Sequence, residues 1–515
     1  MTAIRRIKTS FSAGELSPEL IGRADLRAYE NGAAKLVNVF ILPTGGLRRR
    51  PGLRHLAMLP GPARLIAFEF STQQTYLLVL TDRRMGVYRG DGEVAAIATP
   101  WTELQLAQLG WTQSADTLLV THPDVPPQRI TRTSHTAWTI APWSFAAAPF
   151  YRFAAPGVTL AASATTGAVT LAASAPVFLT GHAGTTFRLQ GRRVTINAVT
   201  GPSSATATVE DTLDSTSPTS DWDEAAFSPA RGWPVSVCFH QDRLVIGGSR
   251  DLPNRLWLSR TGNLFDFDLG EGLDDQAIEF ALVSDQVNAI RAVFSGRHLQ
   301  VFTSGAEWMV SGDPLTPSNI QLNRQTRVGS PVDRTIPPVD VDGATIFVSR
   351  SGRSVHEFAY TDVEQAYQAA DLAVLARHLV ETPVSMAYDQ TRRLLHLVMA
   401  DGRMATLTLF RAEQVTAWTR QETDGAFRAV AELDGLVFFV VERAGTFRLE
   451  RFGDALGVDA AVSGTHPTGA STWSGLDRVA GRGFVVVADG APRGGQTVTG
   501  GAVTTDPPAR AVQVG

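Results

Sequence analysis

The amino-acid sequence predicts a mainly β protein, a β-propeller interrupted by a small inserted β domain, and three observations predict it. Short runs of β-branched, aromatic and aliphatic residues alternate with tight turns along most of the 515 residues. Four of those turns, Ser295-Gly296, Ser351-Gly352, Asp401-Gly402 and Asp434-Gly435, are dipeptides of the kind that closes hairpins. About six or seven such sheet units succeed one another, and Trp257, Trp308 and Trp418 recur inside them. A propeller uses about 4–8 blades, and packing blades around an axis hides the sheet edges that otherwise invite aggregation.

Residues 1–60 read unlike the rest. In "DLRAYENGAAKLVNVF" the residues Leu26, Tyr29, Ala33, Leu36, Val37 and Phe40 share one helical face, so one short amphipathic helix is expected behind an Asp25 cap. Gly45, Gly46, Pro51 and Gly52 then break regular structure around Arg48, Arg49 and Arg50, which predicts a constrained basic loop that wants an acidic partner. From 61 to 152 the runs "RLIAFEF", "TYLLVL" and "MGVYRG" predict the first part of the propeller, with a helix-like piece at Pro100 to Trp111 before "DTLLVTHP". From 153 to 221 the composition falls to Ala, Thr, Val, Ser and Gly with a period of two, which predicts the inserted domain. A flexible Ser/Thr-rich linker is the alternative there, favoured by "VTGPSSATATVEDTLDSTSPTS". Residues 222–452 carry the remaining hairpins. Residues 453–515 form a Gly/Thr/Ala-rich β segment ending on "ARAVQVG", a strand that pairs back onto the first domain or lacks a partner.

The composition bounds the function. Apolar residues make up 44% and charged residues 19%, which is globular, and a net charge of −4 supplies no basic field for gripping nucleic acid. The single cysteine, Cys238, sits in the apolar run "VSVCFH" and is expected as a buried, inert thiol, so packing alone must hold the chain together. No apolar stretch follows Arg5, Arg6 and Lys8, so no signal peptide is expected. The apolar run "GLVFFVV" is far shorter than the ~20 residues a bilayer needs.

Motifs that carry chemistry are scarce. No P-loop, HExxH, CxxC or nucleophile elbow occurs. His240 and His396 read as core or sheet-edge histidines. The loop "DFDLGEGLDD" offers the oxygens of Asp266, Asp268, Glu271, Asp274 and Asp275, but its Gly270 and Glu271 stand where a calcium loop needs a donor and then glycine. A solvated inter-blade loop is the expectation, with no catalytic, metal or cofactor site and no enzymatic activity. The alternative, from another class, is a stand-alone β-propeller that binds or hydrolyses a host surface glycan.

"SFSAGELSPELIGRADLRAYENG", followed by "NVFILPTGGLRRRPG", resembles the beginning of the tail nozzle proteins, or tail tubular protein B family, of short-tailed double-stranded DNA bacteriophages. The likeness continues in the family's order through "RGWPVSVCFHQDRLVIGGSRDLPNRLWLSRTGNLFDFD", "LQVFTSGAEWMVSG", "LTPSNIQLNRQTRVGS", "DLAVLARHLV", "ADGRMATLTLFRAEQVTAWTR" and "VVERAGTFRLERF". It departs at the C-terminus, where further strands are expected after "AVQVG". The resemblance implies a platform-like domain made from the chain ends and a location in the virion tail, assembled in the host cytoplasm. It implies a homohexameric ring below a ring of tail adaptor proteins, beside tail fibres or spikes and reaching the host envelope surface at its distal tip. Double-stranded DNA would pass through transiently, without sequence-specific binding. Residues Phe11, Glu15, Leu16, Arg23, Asp25, Arg48, Arg49, Arg50 and Pro51 are the expected contacts to the adaptor or a neighbouring subunit. The acidic loop residues Asp266, Asp268, Glu271, Asp274 and Asp275 are the expected channel or gate loop, because a loop can move without unpacking a sheet.

Overall fold

The computed structural model describes residues 8–283, 288–477, 483–494 and 496–515. The protein is mainly β, and among the described residues seven four-stranded antiparallel meanders carry most of the chain, the sheet construction of a β-propeller blade. They fall in two compact units, one of Met1–Leu106, Val339–Phe358 and Ala370–Gly515 and one of Ala107–Pro338 and Ala359–Ala369.

In the first unit one sheet runs through Arg64–Ser71, Gln74–Thr81, Arg84–Arg89 and Gly92–Ala98. A second takes Pro383–Asp389, Leu394–Met399, Met404–Phe410 and Val415–Gln421. A third takes Ala426–Leu433, Leu436–Arg443 and Thr446–Gly453, and its fourth strand is Gly52–Leu59 from the other end of the sequence. The first strands of these sheets pack side by side, Pro383–Asp389 on Ala426–Leu433 and the latter on Arg64–Ser71. Between them lie two apolar clusters, one around Leu53, Phe427, Phe439 and Phe452, the other around Leu59, Leu77, Tyr88 and Leu449. Both contain a residue of Gly52–Leu59, so the early strand shields apolar surface as well as pairing its neighbour's edge.

The second unit holds three such meanders: Gly110–Ser114 to Trp138–Pro142, Pro234–His240 to Ile278–Ala281, and Ile290–Ser295 to Gln321–Thr326. Their first strands again pack in series. The expected insert is a folded domain and not a linker. Seven strands form one sheet in the order Phe150–Tyr151, Trp222–Ala225, Thr186–Leu189, Arg192–Gly201, Ser204–Val209, Gly167–Ala173, Leu160–Ala162, so it extends slightly beyond 153–221 on both sides. Its small residues still make a core because alternate positions pack around Leu171, Phe187, Ile196 and Trp222. The strands Val339–Val341, Ala344–Val348, Val355–Thr361 and Ala366–Asp371 make the seventh meander, whose chain is divided between the two units.

Three local expectations are corrected. The helix expected from Asp25 to Phe40 is reduced to Arg27–Glu30; Leu26, not Asp25, precedes it, and Asp25 holds the Arg23 guanidinium instead. Beyond it the chain is extended, because Asn38 N–H donates to the Arg420 carbonyl at 3.0 Å and Arg420 N–H to the Leu36 carbonyl at 3.0 Å. Leu36 and Ile41 thereby reach Val415 and Ala417, so tertiary strand pairing overrides a short periodic run. Residues 48–50 are not a free basic loop: Leu47–Arg49 is a strand paired with Val39–Ile41, and Arg50 is buried. The final strand has partners too, since Val503–Val514 lies between Val462–Trp473 and Val486–Ala488 over a small core of Leu476, Val486, Val503 and Val512. The piece at Pro100 to Trp111 is a 3-10 turn at Glu103–Gln108.

Candidate functional site

The segment that carries the resemblance is built into the first unit. Its strand Gly14–Glu15 places a fully buried carboxylate where Arg420 Nε reaches both oxygens at 2.9 and 3.1 Å, His378 Nε2 lies 2.9 Å away and Leu36 N–H donates at 2.7 Å. Burial pushes the Glu15 carboxyl upward, but these bonds outweigh it and hold the group below the ordinary glutamate range. Gly14 must be glycine here: its φ is +69°, and a Cβ would lie 2.4 Å from the Trp418 backbone nitrogen.

The three consecutive arginines divide. Arg50 donates to Asn38 Oδ1 at 3.1 Å, to the Pro51 carbonyl at 3.0 Å and to Asp459 Oδ2 at 2.7 Å, which joins the start of the chain to its last segment. Arg49 donates to the Gly457 carbonyl at 2.6 Å. Arg48 is exposed. Of the expected contact residues, Glu15, Leu16 and Arg50 are therefore enclosed by their own chain, and Phe11 and Pro51 are half-buried. Arg23, Asp25, Arg48 and Arg49 remain exposed, and Ile21 beside Arg23 in sequence is 78% exposed.

The acidic loop is organised from beneath. Arg243, almost fully buried, donates to the carbonyls of Ser259 at 2.6 Å, Gln276 at 2.7 Å and Asp274 at 2.8 Å. Asp266 accepts the Asp268 N–H at 3.0 Å, Asp268 the Gly270 N–H at 3.3 Å, and Asp275 pairs with Arg260 at 2.9 Å. Asp266 and Asp268 thus cap separate backbone turns while Asp275 holds a guanidinium, and no group of three metal-binding side chains converges among the described residues. Glu271 and Asp274 are exposed, as are Leu269 and Leu273. Sequence reasoning missed Arg420, His378, Asp459 and Arg243, the partners that give these motifs their geometry. Glu15 and Arg420 are 405 residues apart, so no local pattern announces the pair.

No family model and no curated protein matches this chain. Among solved structures it is similar to BamB from Moraxella catarrhalis, at 12% identity and TM-score 0.37 over 78% of this chain and 98% of that one. It is also similar to the Cps50 (Swd1) β-propeller domain of Myceliophteria thermophila, at 8% identity and TM-score 0.41 over 78% of this chain and 100% of that one. A third is the Pan2 WD40 domain of Neurospora crassa, at 8% identity and TM-score 0.37 over 78% and 96% of the two chains.

Proposed function

We propose that this chain is a structural subunit of a short phage tail, six copies of which close into a nozzle that continues the DNA channel, retains the genome and conducts it at ejection. What carries the reading is the use made of the N-terminal wording together with its resemblance to the nozzle family. Gly14, Glu15 and Arg50 tie the first residues to sheet 383–421 and to Asp459, which is scaffold work and not chemistry on a ligand. Arg23, Asp25, Arg48 and Arg49 stay exposed for the adaptor or a neighbouring subunit.

The charge balance supports passage over grip. Duplex DNA presents one charge per ~1.7 Å of axis, and each arginine matched to a phosphate adds affinity that sliding DNA must surrender. A chain of net charge −4, many of whose arginines, Arg231, Arg392 and Arg443 among them, pair with its own carboxylates, suits a wall that DNA moves along. A head-to-tail contact between two different surfaces of each copy closes such walls into a ring.

Mass in solution and particle images test the proposal. A sixfold ring is expected; a stable lone subunit that turns over sugars would refute it. The gate assignment has its own test: deleting 269–273 should release DNA from filled particles early, and unchanged retention removes the loop from the mechanism.

A further inference from the structure

A cleft of about 700 Å³ lies in the second unit, between the inserted domain and the strands and loops of 234–281. Its size lies within the ~300–1,000 Å³ of ligand pockets. Phe145, Phe150, Arg188, Arg193, Asp268 and Glu279 are among the residues that line it.

Its guanidinium groups are already compensated, and its lining carries the carboxylates of Glu210, Asp211, Asp268 and Glu279. Arg188 makes two bonds to Asp223 at 2.9 and 2.6 Å while its guanidinium lies 4.0 Å from the Phe150 ring centroid. Arg193 pairs with Asp211 at 2.9 Å, and Glu279 pairs with Arg255, which itself stacks 4.3 Å from Tyr151. Asp268 stands exposed at the rim. Beside the cleft, Arg188, Arg255 and Arg231 stack on Phe150, Tyr151 and Phe153 where the chain enters the insert. A ligand here meets fixed donors and acceptors side by side, with no unopposed guanidinium field and half-buried aromatic surface from Phe145 and Phe150 between them.

A hydroxyl is both donor and acceptor, so a row of hydroxyls matches paired guanidinium and carboxylate edges, whereas an anionic ligand would meet guanidinium groups already neutralised beside the carboxylates of Glu210 and Asp268. We propose that this cleft binds a neutral saccharide, its hydroxyls on Arg188, on the Arg193–Asp211 pair and on Asp268, and its C–H face against Phe145. The cleft shares Asp268, Leu269 and Gly270 with the acidic loop, and saccharide binding there needs neither DNA retention by that loop nor any particular number of copies in the assembly.

The test uses the full chain on an array of neutral hexose and N-acetylhexosamine oligosaccharides, with sulfated and sialylated glycans and a lysine-rich peptide beside them. The best neutral binder is then titrated against Ala146→Trp, which fills the cleft from an exposed alanine in its lining, and Asp268→Ala at the exposed rim. Each variant with an unchanged melting temperature should bind about tenfold more weakly. If Ala146→Trp does not fold, Asp268→Ala carries the decision. Binding of no neutral glycan, preference for the charged glycans or the peptide, or full binding by the folded variants overturns the assignment.

Discussion

Glu15 is the side chain on which the first segment turns. It has no exposed surface, and three partners from distant parts of the sequence converge on it. Removing one member of a buried ion pair strands the other, so Glu15→Ala should cost about 3 kcal/mol and speed hydrogen exchange in strands Gly14–Glu15 and Val39–Ile41. Unchanged exchange in both would show that the segment is held elsewhere. Buried imidazoles set a second behaviour. Burial pushes His396 down to about 3, and His122 and His240 down to about 4. In the unfolded chain these groups take up protons from about pH 6.5 downward, whereas folded they stay neutral until their lowered values. Stability is therefore complete above pH 6.5 and falls continuously toward pH 4; the Glu15 pairing is then lost as pH drops below the ordinary carboxylate value. Urea unfolding at pH 8, 6 and 5 should show this slope. His396→Phe should flatten it while lowering stability at pH 8 by about 1 kcal/mol, because the Thr406 hydroxyl loses its 3.0 Å partner. The sequence read His240 and His396 as core or sheet-edge histidines, and both are buried, each within an apolar strand and beside a hydroxyl, Ser295 or Thr406.

Hairpins were legible element by element because their turns are local chemistry. Asp434 and Gly435 both have positive φ, 53° and 75°, which joins Ala426–Leu433 to Leu436–Arg443 with the right-handed twist that strands need. Gly435→Val should cost about 1–3 kcal/mol, read from the urea midpoint. Gly52–Leu59 was not legible as a blade strand, since its partner Thr446–Gly453 is reached only when the chain returns after nearly its whole length. Leu53→Ala should cost about 3 kcal/mol, because Leu53 is fully buried among Phe427, Phe439 and Phe452. It should also raise exchange along Thr446–Gly453, and a variant with the wild-type exchange pattern would separate core packing from edge closure. The amphipathic helix failed for the converse reason: an apolar period over sixteen residues was real, but the backbone of Arg420 offered strand partners that four helical residues could not outweigh.

For the whole molecule, charge is the property that sequence states most directly. With a net charge of −4, duplex DNA titrated at about 150 mM salt should show no binding tighter than ~100 µM. Tighter, salt-sensitive binding would contradict a wall that lets DNA slide. Composition, alternation and turn dipeptides by themselves determined that the chain is mainly β, that it repeats small antiparallel sheets, and that 153–221 has a different texture, because each of these depends on residues within a hairpin's reach of one another; that this stretch is a folded domain and not a linker took the structure. The tertiary structure alone decided that the N-terminal strand completes sheet 426–453, that Glu15 and Arg50 are enclosed, and that a cleft lined by carboxylates, guanidinium groups and aromatic rings lies beside the insert. Those outcomes depend on which distant strands and ion pairs meet, and local preference carries no record of encounters between residues hundreds of positions apart.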